Sequence, residues 1–186
     1  MAIDDLIQDA TRRMDKSVEA AQAEFGTLRT GRASPALLDR VQIDYYGQQT
    51  PLKQLATINA PEPRMITVQP FDPSSLSAIE RAIQESDLGL TPSNDGKLIR
   101  LPIPQLTEER RKELVKVVRG MAEEGRVAVR NVRRDAIHHL KELVDKSEVG
   151  KDEEHRAEER VQKLTDDHTK KIDELLERKE AEILEV

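Results

Sequence analysis

The sequence contains no cysteine, no tryptophan and very few aromatic residues of any kind. Aromatic side chains make up 2% of its 186 residues. The absence of cysteine excludes disulfide bonds, thiolate nucleophiles and metal sites built from cysteine. Binding of single-stranded bases by stacking needs several exposed rings, and we expect two of the four rings to be buried. The aromatic residues are Phe25, Tyr45, Tyr46 and Phe71.

Long apolar runs and a basic leader are also missing. No run approaches the ~18 consecutive apolar residues of a membrane-spanning helix. The first five residues, from Met1 to Asp5, include two aspartates, whereas a secretory signal begins with basic residues. Hydrophobic residues still form 37% of the chain, which is enough for a core. We therefore expect a cytosolic protein of one or two domains.

Residues suited to catalysis or metal binding are scarce. His138, His139 and Glu142 could form a metal triad, but the helical period directs His139 towards an apolar stripe and His138 away from it. A glycine-rich phosphate loop is absent, because Gly120 and Gly125 fall inside a predicted helix. These observations predict a protein that is not an enzyme and has neither a metal site nor a cofactor.

The dominant feature is a predicted helix over residues 107–146. At 1.5 Å per residue it would be roughly 60 Å long, so it needs other helices along its length. Gly125 lies inside this helix, where glycine costs about 1 kcal/mol relative to alanine. Apolar residues recur at steps of three, four or seven and predict one buried stripe. The stripe comprises Leu114, Val118, Met121, Ala128, Val132, Ala136 and Leu143.

Five arginines of this helix project close together, about a third of a turn from the stripe. Residues 107–146 contain 11 basic and 8 acidic residues, a net charge of +3, although the whole chain has a charge of -6. Guanidinium groups pair with phosphates in a two-pronged geometry, which suits a folded RNA. The alternative is a solvated face whose arginines pair with Glu123 and Asp135, and spacing alone favours neither. The five are Arg119, Arg126, Arg130, Arg133 and Arg134.

Two further long helices are predicted, one near each end of the chain. The first covers residues 3–28 and should end near Thr30 and Gly31, while the last follows a break near Ser147 to Gly150. Three long helices predict an antiparallel bundle with crossing angles near 20°. Their apolar positions are Ile3, Ile7, Ala10, Met14, Val18, Ala21, Phe25 and Leu28, and then Ala157, Val161, Leu164, His168, Ile172, Leu175 and Ile183.

A separate module is predicted between the first two long helices. All nine prolines fall between Gly31 and Gln105, where the apolar pattern becomes short and alternating. Strands are predicted at residues 41–45, 64–71 and 97–101, with a short helix after Asp72 and Pro73. The predicted fold class is therefore α+β, a bundle of residues 1–30 and 106–186 with an inserted α/β domain of residues 31–105.

The inserted module leaves the bundle through two adjacent connections. Because few contacts need to cross such a pair of connections, they predict a hinge. The hinge residues are Thr30, Gly31, Pro102, Pro104 and Gln105.

Several ordered motifs resemble the bacterial ribosome recycling factor family, over nearly the whole chain. They are RTGRASP at residues 29–35, YYG at 45–47, TPLKQLA at 50–56, DLGL at 87–90, LTEERRK at 106–112 and RVAVRNVRRD at 126–135. The resemblance implies a three-helix bundle and a smaller α/β domain arranged as an L, a shape often compared with transfer RNA. It also implies that Arg130, Arg133 and Arg134 contact ribosomal RNA.

The resemblance further implies a function in translation. With elongation factor G, which binds GTP, such a factor splits the ribosome left on messenger RNA after termination. The bundle would lie as a monomer on RNA of the large ribosomal subunit, near the peptidyl-transferase centre. The competing hypothesis is a helical scaffold or adaptor that binds another protein through the acidic third helix, whose residues 147–186 contain 8 basic and 14 acidic residues.

Overall fold

The structure is a computed structural model that describes residues 2–185. The chain forms two compact units. One comprises the chain up to Thr30 together with the chain from Glu108 onwards, and the other is Gly31–Thr107. The first unit is helical and the second contains the strands, so the α+β class predicted from the sequence is confirmed.

Residues 2–185 contain four α-helices, which are α1 (Ala2–Gly26), α2 (Leu76–Glu85), α3 (Glu108–Asp145) and α4 (Lys151–Leu184). Helices α1, α3 and α4 pack against one another, which confirms the predicted three-helix bundle. Helix α1 ends earlier than predicted, because Thr27 and Leu28 form only a hydrogen-bonded turn to the carbonyls of Glu24 and Phe25. Gly31 therefore lies beyond the end of the helix and does not cap it.

The buried stripe of α3 differs from the predicted one at several positions from Met121 onwards. Met121, Ala128 and Leu143 are only partly buried. Seven residues make slightly less than two full turns, so a stripe extended in steps of seven drifts around the helix by about 20° each time. Contact with both α1 and α4 shifts the buried positions accordingly. They are Leu114, Val118, Ala122, Gly125, Val129, Val132, Ala136 and Leu140.

Gly125 lies where α3 packs closely against both α1 and α4. A Cβ atom placed there would lie 3.2 Å from Ala21 Cβ of α1 and 3.2 Å from Ile172 Cδ1 of α4. No such contact exists at Gly120, where nothing lies within 4 Å. The propensity cost of the glycine at position 125 is therefore offset by packing that a side chain would disturb.

A buried histidine links α4 to α1. His168 is 3% exposed, which agrees with its place in the predicted apolar spacing of α4. Its Nδ1 atom lies 2.7 Å from the Leu164 carbonyl, and its Nε2 atom lies 2.6 Å from Asp15 Oδ1. Thr165, rather than the predicted Leu164, is fully buried beside it, and its hydroxyl donates to the Val161 carbonyl. The buried polar groups of His168 and Thr165 are thus satisfied by hydrogen bonds.

The smaller unit is built from two antiparallel sheets and α2. Its strands are β1 (Gln42–Tyr45), β2 (Gln48–Pro51), β3 (Ala56–Glu62), β4 (Met65–Pro70), β5 (Ser93–Asn94) and β6 (Ile99–Pro102). Strands β1 and β2 form a hairpin, and the other four pair in the order β3-β4-β6-β5. Predicted strands at 41–45, 64–71 and 97–101 correspond to β1, β4 and β6. The core includes Ile43, Leu52, Ile66, Ile79 and Leu101.

Local turn chemistry agrees with the sequence at two positions. Tyr46 and Gly47 have φ values of 50° and 81°, the left-handed pair that a two-residue hairpin turn requires between β1 and β2. Asp72 accepts a hydrogen bond from the Ser74 amide and caps the helical segment that leads into α2. The hydrogen bond from the Ser74 hydroxyl, followed by that from the Ser74 amide, holds the pKa of Asp72 below its ordinary value.

The expectation that two of the four aromatic rings are buried is wrong. Phe25 is 4% exposed, but Tyr46 is 84% exposed and Phe71 is 66% exposed. Tyr45 is half-buried, and its hydroxyl donates to Asp72 Oδ2 at 3.1 Å. Tyr46 is exposed because the turn places it at the tip of the β1–β2 hairpin.

Across the described part of the chain, no helix combines the length and apolar character needed to cross a membrane.

Candidate RNA-binding face of helix α3

The five predicted arginines all lie on α3, but their surroundings differ along the helix. Arg126 and Arg130 are partly buried against the bundle, with side chains 21% and 39% exposed. Arg119 is 65% exposed, Arg133 is half-buried and Arg134 is exposed. The helical period brings them to one side of α3, as the sequence predicts. The carboxylates near each arginine determine which of them can bind an anion.

Arg126 is neutralised by two carboxylates. Its Nε atom donates to Glu123 Oε2 at 3.0 Å, and its Nη1 atom donates to Asp173 Oδ1 of α4 at 2.6 Å. Burial alone would lower the pKa of Arg126, but the hydrogen bonds to Glu123 and Asp173 outweigh it and raise that pKa. This arginine joins α3 to α4.

Glu123 also binds a second of the five arginines. Arg130 Nη2 donates to Glu123 Oε1 at 2.5 Å. The hydrogen bond from Arg130, followed by that from Arg126, holds the pKa of Glu123 below its ordinary value. One carboxylate thus compensates two guanidinium groups of the same helix face.

The alternative in which Glu123 and Asp135 neutralise the five arginines is half correct. Glu123 does so, but Asp135 accepts from Arg13 Nη2 of α1 at 2.7 Å instead. That hydrogen bond lowers the pKa of Asp135. Arg119 is paired by a residue that sequence spacing could not identify, because its Nε atom donates to Glu180 Oε1 of α4 at 2.7 Å.

Arg133 and Arg134 keep their charges uncompensated. Arg133 Nη1 donates to the neutral amide oxygen of Gln162 at 3.2 Å, and Gln162 in turn donates to Asp166 at 2.9 Å. Within residues 2–185, the side chain of Arg134 has no hydrogen bond or ion pair. The structure therefore divides the five predicted arginines into two groups. Arg119, Arg126 and Arg130 form a carboxylate-paired stretch, and Arg133 and Arg134 form a free stretch. A guanidinium without a carboxylate can accept a phosphate with less competition.

The free stretch borders a groove between α3 and α4. The groove has a volume of about 590 Å³ and is lined by Arg133, Arg134, Ile137, His138, Lys141, His155, Glu158, Glu159 and Gln162. Lys141 extends the cationic wall beyond the predicted arginines. The only sequence signal for it was its spacing of seven residues from Arg134, two turns along the same side of the helix. Gln162 carried no such signal, since it comes from another helix.

The two adjacent histidines do not divide between core and solvent as predicted. His138 and His139 are both exposed, so the expectation that His139 faces the core is wrong. Leu140, the next residue, occupies the buried position instead. His138 Nε2 lies 3.1 Å from Glu142 Oε1. Among the residues that the structure describes, no cluster of three or more metal-ligating side chains occurs.

Two of the predicted hinge residues are bound to strand β4 and its preceding residue. Pro102 is the last residue of β6 and pairs with Met65. The next amide, that of Ile103, donates to the Arg64 carbonyl at 2.8 Å. When the Gln105 amide is oriented with its oxygen towards Arg64, that oxygen accepts from the guanidinium, with Nη2 at 2.7 Å. These bonds fix residues 102–105 to the smaller unit.

The remaining hinge residues have fewer constraints. Gly31 has a φ of 76°, a left-handed conformation that favours glycine, and a Cβ atom there would lie 2.9 Å from Leu106 Cγ. Thr30 is half-buried and Pro104 is exposed. A β-branched residue at position 31 would therefore be strained by backbone conformation and by contact.

Solved structures that are similar to this chain include two of ribosome recycling factors. One is the solution structure of the ribosome recycling factor, which matches with a TM-score of 0.75 and 45% identity over 100% of this chain and 99% of that chain. Another is a model of the T. thermophilus ribosome recycling factor and E. coli elongation factor G bound to the E. coli post-termination complex. It matches with a TM-score of 0.65 and 50% identity over 99% of this chain and 100% of that chain.

The family model for the ribosome recycling factor matches residues 21–184. The ribosome-recycling factor of Rubrobacter xylanophilus is 58% identical over 180 residues, covering 97% of both chains. That of Carboxydothermus hydrogenoformans is 54% identical over 184 residues, covering 99% of this chain and all of the relative. The chain belongs to the ribosome recycling factor family, and the comparisons favour ribosome recycling over a helical scaffold.

Proposed function

We propose that this protein binds the post-termination ribosome as a monomer and, together with elongation factor G, splits it into subunits in the cytoplasm. GTP is bound and hydrolysed by that partner, and the protein itself contributes no catalytic group. In support, the related structure noted above is of a recycling factor and elongation factor G bound to a post-termination complex.

The single observation that carries the RNA-binding part of this proposal is the free stretch of α3. Arg133 is oriented by a neutral amide, and Arg134 has no partner in the described chain, so both can bind phosphates of large-subunit ribosomal RNA. Arg119, Arg126 and Arg130 are paired with carboxylates and contribute less. Binding a phosphate would require these three to exchange one anion for another.

We also propose that the smaller unit moves relative to the bundle when the partner acts. The hydrogen bonds of residues 103 and 105 to Arg64 restrict bending in one connection to Leu106 and Thr107. In the other connection, the amide of Ala33 donates to the Pro63 carbonyl at 2.6 Å, so bending falls between Thr27 and Arg32. Such short connections are typical hinge positions.

A salt series of binding to the large subunit tests the RNA contact. Arg133→Ala should weaken binding and reduce the slope of log affinity against log salt by roughly 0.7–0.9, the value for one phosphate contact. Arg119→Ala is the matched control on the same helix, because its guanidinium is already paired with Glu180. An unchanged affinity and slope for Arg133→Ala would remove this residue from the site.

Light scattering by ribosomes tests the splitting step. Wild type with elongation factor G and GTP should lower the scattered intensity as subunits separate, whereas either factor alone should not. A disulfide that joins the two connections should leave subunit binding intact and slow splitting. If the oxidised protein splits ribosomes at the full rate, motion between the units is not part of the mechanism.

A further inference from the structure

The groove between α3 and α4 has one wall that is mainly cationic and one wall that carries carboxylates. Helix α3 supplies three cations, Arg133, Arg134 and Lys141, and α4 supplies two carboxylates, Glu158 and Glu159. A phosphate would be attracted to the first wall and repelled by the second. The groove therefore suits a ligand with an anionic end and a hydrogen-bond-donating end, rather than a phosphate alone.

Lys141 is available on the cationic wall. It is exposed, and within the described residues it has no ion pair. Lys112, near the start of the same helix, is bound instead to Glu108 at 3.2 Å. An ammonium group donates three hydrogen bonds and accepts none, so Lys141 adds a third free donor beside Arg133 and Arg134.

The two carboxylates of the opposite wall are not equivalent. Glu159 Oε1 lies 3.3 Å from His155 Nε2 of its own helix. Glu158 is half-buried and has no ion pair in the described part of the chain. An ionised carboxylate only accepts hydrogen bonds, so Glu158 requires a donor from a ligand or from water. Ile137 of α3 adds an apolar side chain to the lining of the groove.

An unpaired nucleotide of a folded RNA has this combination of groups. Its phosphate is anionic, its base is flat and partly apolar, and the base edge is accessible once the nucleotide leaves the helix. Guanine presents a ring N–H and an exocyclic amino group side by side, and the two together match the two oxygens of a carboxylate. The groove volume of about 590 Å³ is within the range of ligand pockets, roughly 300–1,000 Å³.

We propose that this groove binds one unpaired guanine nucleotide of RNA. Lys141, with Arg133 and Arg134, binds the phosphate; Ile137 packs against the base; and Glu158 accepts from its edge. The inference rests on the proposed function, because it names the RNA feature that the same face of α3 recognises. It extends the site to residues on two helices and gives it a base preference.

Titration of the full-length protein with mononucleotides tests the base preference. With isotope-labelled isoleucine methyl groups, guanosine monophosphate should shift the Ile137 resonance more than inosine monophosphate, which lacks the exocyclic amino group. Inorganic phosphate should shift it least. Glu158→Gln should abolish the preference for guanosine, and the matched variant Glu159→Gln should retain it. Equal shifts with the two nucleotides, or no shift at Ile137 with either, would overturn the inference.

Binding to the large subunit tests the cationic wall. Lys141→Ala should weaken binding several-fold and reduce the salt slope by roughly 0.7–0.9. The control Lys112→Ala, 29 positions and roughly 44 Å along the helix, should behave as wild type. If Arg133→Ala weakens binding but Lys141→Ala and Glu158→Gln do not, the nucleotide groove is wrong and the proposed function stands. If Arg133→Ala also has no effect, the proposed RNA contact fails as well.

Discussion

Two stretches of α3 both contain arginines, but only the arginines of the first stretch are paired with carboxylates. In the first, Arg119, Arg126 and Arg130 each donate to a carboxylate at 2.5–3.0 Å. In the second, Arg133 donates only to a neutral amide and Arg134 has no partner among the residues described. In the first stretch, Arg119 and Arg126 join α3 to α4 and Arg130 pairs within α3, whereas the second stretch leaves its arginines available.

Much of the difference originates in α4, although Arg130 is paired by Glu123 of α3 itself. Glu180 and Asp173 lie opposite the first stretch and supply acceptors for Arg119 and Arg126. Opposite the second stretch, α4 presents Gln162 to Arg133. Packing differs as well, because Gly125 brings α3 close to both neighbours within the first stretch. One stretch therefore serves packing and the other is suited to binding.

The largest expected effect is loss of the free stretch. Arg133→Ala combined with Arg134→Ala should lower affinity for the large subunit on the order of 100-fold at low salt, since each charge-assisted contact contributes about 1.5 kcal/mol. The free energy of unfolding should change by less than about 0.5 kcal/mol, because neither side chain is deeply buried. Equilibrium binding and denaturant unfolding check the two halves of this prediction. Equal affinity for wild type and double variant would contradict the comparison of the two stretches.

Gly125→Val should destabilise the protein by about 1–3 kcal/mol through overpacking. The new side chain would enter space bounded by Ala21 and Ile172, each 3.2 Å from a Cβ atom at this position. Gly120→Ala is the control, since nothing lies within 4 Å of it, and it should stabilise by up to about 1 kcal/mol through helix propensity. Urea unfolding of both variants provides the measurement. Equal stability of the two variants would show that the close approach is unimportant.

Glu123→Gln should convert part of the paired stretch into a free one. Arg126 would keep Asp173 as a partner, but Arg130 would lose its only carboxylate in residues 2–185. Affinity for the large subunit should rise by roughly threefold to tenfold at low salt. The slope of log affinity against log salt should steepen by roughly 0.7–0.9, the value for one phosphate contact. Glu124→Gln, an exposed carboxylate next in sequence, is the control. A weaker affinity for Glu123→Gln would mean that this carboxylate positions Arg130 for binding.

The smallest effect concerns pH. Hydrogen bonds from Arg130 and Arg126 depress the pKa of Glu123 in the folded protein. The corresponding stabilisation is present above the unfolded pKa of about 4.3 and is lost as pH falls through the folded pKa. Carboxyl carbon NMR should therefore give a titration midpoint below the ordinary value for Glu123, and Arg130→Ala should raise it. A midpoint unaffected by that substitution would exclude the pairing in solution.

The secondary structure of the bundle could largely be predicted from the sequence. Periodic apolar positions over 25 residues or more identify a helix, so α1, α3 and α4 begin and end within a few residues of expectation. In the smaller unit, β2, β3 and β5 were not predicted. All three are rich in polar residues or proline, and they form because a neighbouring strand supplies hydrogen bonds across the ladder.

The sequence predicted which arginines form the candidate site, but not which of them are paired with carboxylates. Spacing alone places the five arginines on one side of α3. Spacing also identified Glu123, the partner of Arg130. Whether the guanidinium groups of Arg119, Arg126 and Arg133 are free depends on Glu180, Asp173 and Gln162, which are 61, 47 and 29 residues away in the chain. Sequence distance carries no information about such pairs, since they form only when α4 packs against α3.

What the sequence determined by itself is the set of helices, the location of the strand-rich insertion and the position of the cations on one helix face. Each of these follows from local periodicity, in which neighbours three or four positions apart share a surface. What only the tertiary structure decided is which cations are neutralised and which border an open groove. Charge compensation acts over a few ångströms in space, and, apart from Glu123, the residues that provide it here come from another helix.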